Sequence, residues 1–398
     1  MWKKTFASAF AAQILSIFGF SFAMPFIPFF ISDLGTFSKG QQAFWSGIAL
    51  GSTAVTLGIF APIWGVLADR YGRKSMVCRA MFGGTLILFL MSMVRTVSQL
   101  IACRLLQGVF TGTIAASVAL VASVTPARRC GFTLGMMQAA VFIGSCVGPL
   151  FGGVVADLFG YRISFILGGF IVLIGGFLVL FGVHEEFVPP DKKADGPPPG
   201  FREILAISGF MMAVMVIFGV RFSESMINPA FPLVVKEILP DSRNINSITG
   251  SFVAVAALSG AFSAAILGHM GDRWGQKRIL VYCCLFAALS SVGHFFAYTM
   301  RFLFAARILF GLSVAGMLPA ANAMIYAVID KKSIGKAYGA ATAISMIGAA
   351  LGPFMGGTVA RFATLRTPFL FVAASQLILA YFVGVFVKVP VKPSENLY

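Results

Sequence analysis

Charged residues are scarce in this chain. Only 11% of its 398 residues are Asp, Glu, Lys or Arg, while 58% are hydrophobic; a soluble globular protein carries about 25% charged residues. With a mean hydropathy of +0.90, the sequence cannot cover a water-facing surface, so lipid has to be its solvent. Cysteine is sparse too. Cys78, Cys103, Cys130, Cys146, Cys283 and Cys284 follow no metal-ligating spacing and imply no disulfide framework, and the adjacent Cys283–Cys284 pair reads as helix filling. The sequence holds no Gly-x4-Gly-Lys-Ser/Thr loop, no zinc-binding helix motif and no nucleophile elbow. The longest stretch between apolar runs is about twenty residues, too short for a catalytic domain. These absences argue against an enzyme, a metal site or a bound cofactor, and they leave an ion gradient as the energy source.

What the chain has is long apolar runs. Twelve lie at 6–31, 43–67, 76–94, 99–121, 132–155, 163–183, 204–227, 248–267, 279–298, 302–325, 337–360 and 368–387. About 20 apolar residues cross a ~30 Å hydrocarbon layer as a helix, and the dyad alternation of barrel strands is missing. The expected fold is an all-α membrane protein with twelve transmembrane helices. The first run follows Lys3 and Lys4 but is too long for a signal peptide, so it is expected to be retained.

The formal charge of +16 is an orientation signal, not a nucleic-acid footprint. Of the 30 Lys and Arg, 19 fall on the face that carries both termini, 8 on the other face and 3 inside spans. The positive-inside rule places the richer face, and both termini, in the cytoplasm. A bacterial inner membrane is the expected location and the lipid bilayer the expected partner, with no nucleic acid and with the chain acting as a monomer.

Shifting the sequence by 203 or 204 residues superposes its landmarks. Pro25-x-x-Pro28 returns as Pro229-x-x-Pro232, Asp69-Arg70-x-Gly72 as Asp272-Arg273-x-Gly275, and Arg104-x-x-x-Gly108 as Arg307-x-x-x-Gly311. Gly144, Gly148-Pro149 and Gly152-Gly153 return as Gly348, Gly352-Pro353 and Gly356-Gly357. Six spans separate the copies, so both halves have one orientation, the parallel-repeat plan of some transporters. This predicts two pseudo-symmetric six-helix bundles, 1–183 and 203–398. The proline- and charge-rich segment 184–202 joins them as a cytoplasmic linker.

These motifs resemble those of the major facilitator superfamily. Gly65-x-Leu67-Ala68-Asp69-Arg70-x-Gly72-Arg73-Lys74 looks like its signature between spans 2 and 3. Arg104 with Gln107-Gly108 resembles its span-4 motif, and the span-5 run from Gly135 to Gly153 resembles the pattern associated with antiporters. The twelve-span drug:proton antiporter family is the most similar branch. The resemblance implies that Asp69 latches onto the cytoplasmic end of span 11, near Lys336-Ala337, when the outside is open. Asp272 would likewise meet the start of span 5 near Gly131-Phe132. Gly65, Asp69, Arg70, Gly72, Arg73, Asp272, Arg273, Gly148, Pro149, Gly352 and Pro353 are the expected gating residues. The span-5 pattern favours export, although its recurrence in span 11 weakens that signal.

Arg104, Arg221, Glu224 and Arg307 lie within apolar spans, where each costs about 2.5–3.5 kcal/mol at a helix centre. They are expected to face an interior cavity or one another; for Arg104 and Arg307, snorkelling to the outer interface is the alternative. Glu224 is the one carboxylate well inside a span, three residues after Arg221 on the same helical face. Burial favours a neutral carboxyl and an adjacent guanidinium a charged one, so Glu224 is the candidate proton carrier, with Asp33 beyond span 1 as competitor. Many relatives carry an acidic residue within span 1; here Phe20 stands at the position matching Glu224. His294 is expected to hydrogen-bond between helices. Gln13, Gln107, Gln138, Asn228 and Asn322 are candidate polar contacts, and 42 Phe and 18 Met suit an adaptable apolar pocket. The expected function is export of small amphiphilic compounds in exchange for protons. Proton-coupled transport of one specific metabolite is the alternative.

Overall fold

A computed structural model of the protein describes residues 2–185, 187, 208–329 and 334–386. Most of the expected linker lies outside the described residues. Among those described, every regular element is a helix, and twelve helical stretches are long and apolar enough to cross a membrane.

Several helices outrun the apolar runs that foretell them. Spans 2 and 5 form helices Lys39–Tyr71 and Ala127–Phe159, 33 residues each, where hydropathy marks only 43–67 and 132–155. At 1.5 Å per residue each is about 50 Å long and projects beyond a ~30 Å hydrocarbon layer. Hydropathy marks the edge of the oil, whereas the backbone hydrogen-bond ladder continues until something stops it. For span 2 that something is Gly72 at φ +89°, a backbone geometry that a Cβ would strain.

Other spans break internally, at matching places in the two halves. Span 1 runs Trp2–Ser21, passes through a 3-10 turn at Met24–Phe26 and resumes at Ile27–Asp33. Span 7 runs Ser208–Met226 and then Phe231–Ile238. Pro25, Pro28, Pro229 and Pro232 cannot donate to the carbonyls one turn back, so the interruption follows from the repeated proline pair. Span 4 breaks between Val97–Phe110 and Thr113–Val124, at Gly112 with φ +115°. Span 10 breaks between Met300–Val314 and Met317–Val328.

The glycine runs explain how the bundles pack. In span 5, helix spacing puts Gly144, Gly148 and Gly152 on one face, against span 1. A Cβ at Gly144 would lie 2.7 Å from Ile17 Cβ, and one at Gly148 2.8 Å from the Phe18 carbonyl oxygen. In span 11, Gly348 and Gly352 meet span 7 in the same way, 2.7 Å and 2.5 Å from the carbonyl oxygens of Phe218 and Phe222. Even the hydrogen bond across the joint repeats. Ser21 Oγ donates to the Gly144 carbonyl at 3.1 Å, and Ser225 Oγ to the Gly348 carbonyl at 3.5 Å. Small residues let backbones approach this closely in lipid, where no hydrophobic effect pulls helices together.

The repeat also includes two arginines on the sparsely charged face. Arg162 donates to the carbonyls of Ser92 and Val94 at 2.7 and 2.8 Å, and Arg366, 204 residues later, to those of Phe295 and Ala297. Each guanidinium satisfies orphan carbonyls where span 3 or span 9 ends, at the negative pole of the helix dipole.

The two bundles touch unevenly along their length. Toward the face opposite the basic loops, spans 2 and 11 meet backbone to backbone: a Cβ at Gly51 would lie 2.7 Å from the Ala350 carbonyl oxygen, and one at Gly357 2.5 Å from that of Ala43. Spans 5 and 8 meet there too, with Gly153 facing the Asn246 carbonyl oxygen at 2.5 Å and Gly250 the Pro149 carbonyl carbon at 2.8 Å. Toward the basic face, a Cβ at Gly65, Gly131, Gly135, Gly268 or Gly339 would meet nothing within 4 Å. The bundles are therefore sealed at one end and splayed at the basic end.

Candidate functional site

The span-7 helix Ser208–Met226 carries two ionisable side chains that meet each other. Arg221 Nη1 donates to Glu224 Oε2 at 3.1 Å, and their side chains retain 38% and 40% of their exposure. The pair is thus neither walled off in the core nor fully solvated. One turn later Asn228 is exposed at the helix break, and Ser223 is hydrogen-bonded to Ser375 of span 12 at 2.8 Å.

Arg307 and Arg104 are both buried, with 7% and 6% of their surface exposed. Neither snorkels. Arg104 Nε donates to the Ala49 carbonyl of span 2 at 3.0 Å, and its Nη1 donates to Gln107 Oε1 and lies 2.7 Å from Met24 Sδ. One guanidinium fork therefore joins spans 1, 2 and 4 next to the span-1 break. Arg307 occupies the repeat-related place with different neighbours. Its guanidinium lies 4.3 Å from the centre of the Phe231 ring and 5.7 Å from that of Phe310, a cation–π arrangement. Its Nε and Nη1 have no hydrogen-bond partner, and the charge of Glu224 acts on it. The structure thus brings Glu224, Arg221 and Arg307 into one electrostatic neighbourhood.

Other candidates lie elsewhere. Asp33 is exposed at the sealed end, where Arg162 and Lys236 are the cations that act on it. Gln138 is exposed on span 5. Gln13 is fully buried, and neither its Nε2 nor its Oε1 has a partner. His294 does not bond between helices as expected: its Nδ1 pairs with the Ser290 carbonyl of its own helix at 2.7 Å, and its ring stacks on Phe369 with centroids 5.2 Å apart. Its buried Nε2 has no partner, and the ring packs as an aromatic among Phe231, Phe310 and Phe369.

At the basic end, Asp69 and Arg70 are exposed at the close of span 2, and Arg70 lies over the Tyr71 ring at 5.3 Å. Gly131 opens onto empty space and Phe132 is 63% exposed. The side chains of Asp272 and Lys336 lie outside the described residues. Glu185, assigned to the linker from sequence, accepts from the backbone N–H groups of Arg73 and Lys74 at 2.9 and 2.7 Å. It thereby caps the start of span 3 and fixes the signature turn at Gly72.

Sequence reasoning missed Asp157. Its Oδ1 accepts from the Asn246 backbone N–H at 3.0 Å and from Asn246 Nδ2 at 2.9 Å; its Oδ2 accepts from the Ser247 backbone N–H at 2.8 Å and from Ser247 Oγ. The available signal was a broken repeat, because the position 204 residues after Asp157 is Arg361.

Comparison with known proteins agrees with this architecture. The family model described as Major Facilitator Superfamily matches residues 9–222 and again 213–397. The chain is 31% identical over 360 residues to the multi-drug resistance efflux pump PmrA of Streptococcus pneumoniae, covering 90% of each protein. It is 29% identical over 380 residues to the multidrug resistance protein MdtG of Salmonella typhimurium, covering 94% of this chain and 93% of that one. Among solved structures, a bacterial homologue of the human lysosomal transporter Spinster, inward-facing and occupied, superposes with a TM-score of 0.78 at 14% identity over 95% of each chain. The human organic anion transporter MFSD10 superposes with a TM-score of 0.73 at 14% identity, over 96% of this chain and 99% of that one. Two bundles related by one offset, each with the same broken first and fourth spans, carry the family's motifs in register: the chain belongs to the major facilitator superfamily and is a multi-pass membrane transporter.

Proposed function

We propose that this transporter exports small amphiphilic compounds from the bacterial cytoplasm in exchange for protons, by alternating access. The observation that carries the reading is the half-exposed Arg221–Glu224 pair on the lining of a molecule sealed at one end only. A lone intramembrane carboxylate that water reaches from one side can release its proton to that side and reload from the other once the seal moves. The names of the similar proteins, a multi-drug resistance efflux pump and a multidrug resistance protein, support export over import.

The basic end is cytoplasmic on the charge count, so the described state opens inward and both termini lie in the cytoplasm. Asp69 is then free, as the family's latch requires in this state. In the opposite state it engages the start of span 11, and Asp272 the start of span 5, closing the cytoplasmic side. Pro149 and Pro353 sit where spans 5 and 11 meet the other bundle, so helix bending there moves both joints. Arg104 holds spans 1, 2 and 4 as one body, while Arg307 holds its charge against Glu224. The transporter works as a monomer and draws its energy from the proton gradient. One charge moved through 100 mV is worth about 2.3 kcal/mol, which at 1.36 kcal/mol per decade sustains a gradient of about fifty-fold.

The test is drug susceptibility in an efflux-deficient bacterial host. Wild-type protein raises the inhibitory concentration of amphiphilic drugs, and Glu224→Gln at equal membrane abundance does not. Equal resistance from both removes Glu224 from the proton path; resistance from neither removes drug export.

A further inference from the structure

Asp157 stands in the last turn of the span-5 helix Ala127–Phe159. A carboxylate there faces the negative pole of its own helix, where it is destabilising. Its favourable partner belongs to the other bundle: the start of the span-8 helix Ile245–Trp274, whose first N–H groups and positive pole it meets with four hydrogen bonds. Span 8 does not cap itself. Asn244, at its N-cap, makes no side-chain capping bond, and the first turn holds no acidic residue. Asn246, which is 4% exposed, would lose its partner for two donors if the bundles parted here.

The repeat-related joint is built differently. Span 2 caps itself, with Ser38 Oγ accepting from the Gln41 N–H and Gln41 Oε1 from the Ser38 N–H. Span 11 brings Arg361 to that joint instead of a carboxylate, and its guanidinium lies 4.7 Å from the centre of the Phe44 ring. Where one helix start is already satisfied by its own sequence, the facing helix carries a cation; where it is left bare, the facing helix carries Asp157. A third contact across the sealed end, Lys236 over the Phe29 ring at 5.7 Å, is again a cation on an aromatic face.

We infer that Asp157 is the outer latch of the transport cycle, a gating residue that favours the inward-open state by capping span 8 in trans. A contact can bias a conformational equilibrium only through a difference in interaction between the two states. Asp157 supplies one: it is unfavourably placed on its own helix when alone, and fully engaged when spans 5 and 8 meet. It is the counterpart, on the opposite face, of the Asp69 latch, and together the two carboxylates set the balance of the cycle. The inference rests on the alternating-access reading given above.

The experiment places nitroxide labels at Phe159→Cys and Arg243→Cys, both exposed and on opposite bundles, in a cysteine-free full-length chain in lipid nanodiscs. Pulsed electron paramagnetic resonance then reads the distance distribution across the outer joint. Asp157→Ala is expected to raise the odds of the long-distance, outward-open population at least tenfold. Asp157→Asn, which keeps the shape but turns donors toward donors, should act in the same direction and serves where the alanine variant does not assemble. Adding Asp69→Asn should move the odds back toward those of the parent, a compensation that simple damage to the protein does not produce. Unchanged odds in the assembled Asp157 variants, or a doubly substituted protein more outward-open than the single one, overturn the latch. The readout needs neither drug nor proton gradient, so absent drug transport would fall on the export reading and leave this one standing.

Discussion

Replacing Gly250 by alanine tests how the outer seal is made. Spans 5 and 8 pass so closely that the added methyl would lie 2.8 Å from the Pro149 carbonyl carbon and nearer still to its oxygen. Both atoms belong to backbone inside a helix and cannot swing aside, so the joint has to widen. Overpacking of this kind costs about 1–3 kcal/mol, and at 1.36 kcal/mol per decade the odds of the sealed outer end fall about 5- to 150-fold. Because the methyl meets protein only when the bundles touch, the cost falls on the sealed state alone. Thr249, the fully buried sequence neighbour of Gly250, provides the reporter. A cysteine introduced there in a cysteine-free chain should react slowly with a membrane-impermeant maleimide added on the side of the sealed end, and Gly250→Ala should accelerate the reaction by the same factor. Gly135→Ala, where the methyl meets nothing, should bring no acceleration. Equal rates for all three proteins would refute the argument that backbone contact between spans 5 and 8 closes the outside.

Three further outcomes follow from the packing. Gly152→Ala and Gly356→Ala, which bring a methyl against the backbone of Phe22 and of Met226, should lower the melting temperature in detergent by similar amounts, each reflecting about 1–3 kcal/mol. Arg104→Lys keeps the charge but cannot hold Ala49 and Gln107 with one planar fork; a loss of about 1.5–3 kcal/mol and abolished transport are expected from thermal unfolding and drug-uptake measurements. Glu185→Gln weakens the cap on the start of span 3 by about 0.5–2 kcal/mol, which hydrogen exchange at Arg73 and Lys74 should report as faster opening with the rest of span 3 unchanged.

The architecture was legible in the sequence because lipid imposes it. A chain with so few charges has little choice but helices across the bilayer, and the repeated proline pair and glycine runs gave both the pseudo-symmetry and the places where spans 1 and 7 break. Helix ends were less legible, since the oil stops before the hydrogen bonds do; Lys39 and Tyr71 extend span 2 well past its apolar run. The Arg221–Glu224 pair could be read from its spacing. The partners of Arg104 could not, because Ala49 and Met24 come from other spans and neither residue type announces an arginine. Asp157 was hidden for a related reason. Its partner is a pair of backbone N–H groups in the opposite bundle, and backbone donors leave no mark in the order of side chains. Only the mismatch of Asp157 with Arg361 in the repeat pointed to the place.

Everything proposed for function depends on Glu224 exchanging protons for drug across a molecule that opens on one side at a time. The most direct measurement uses everted membrane vesicles, whose accessible face is the cytoplasmic one. Acidifying the lumen should drive uptake of a fluorescent amphiphilic drug, a protonophore should release it, and Glu224→Gln vesicles with equal protein should take up no more than vesicles lacking the transporter. Uptake by wild-type protein that persists after the proton gradient is collapsed, or Glu224→Gln uptake equal to wild type, would contradict the account.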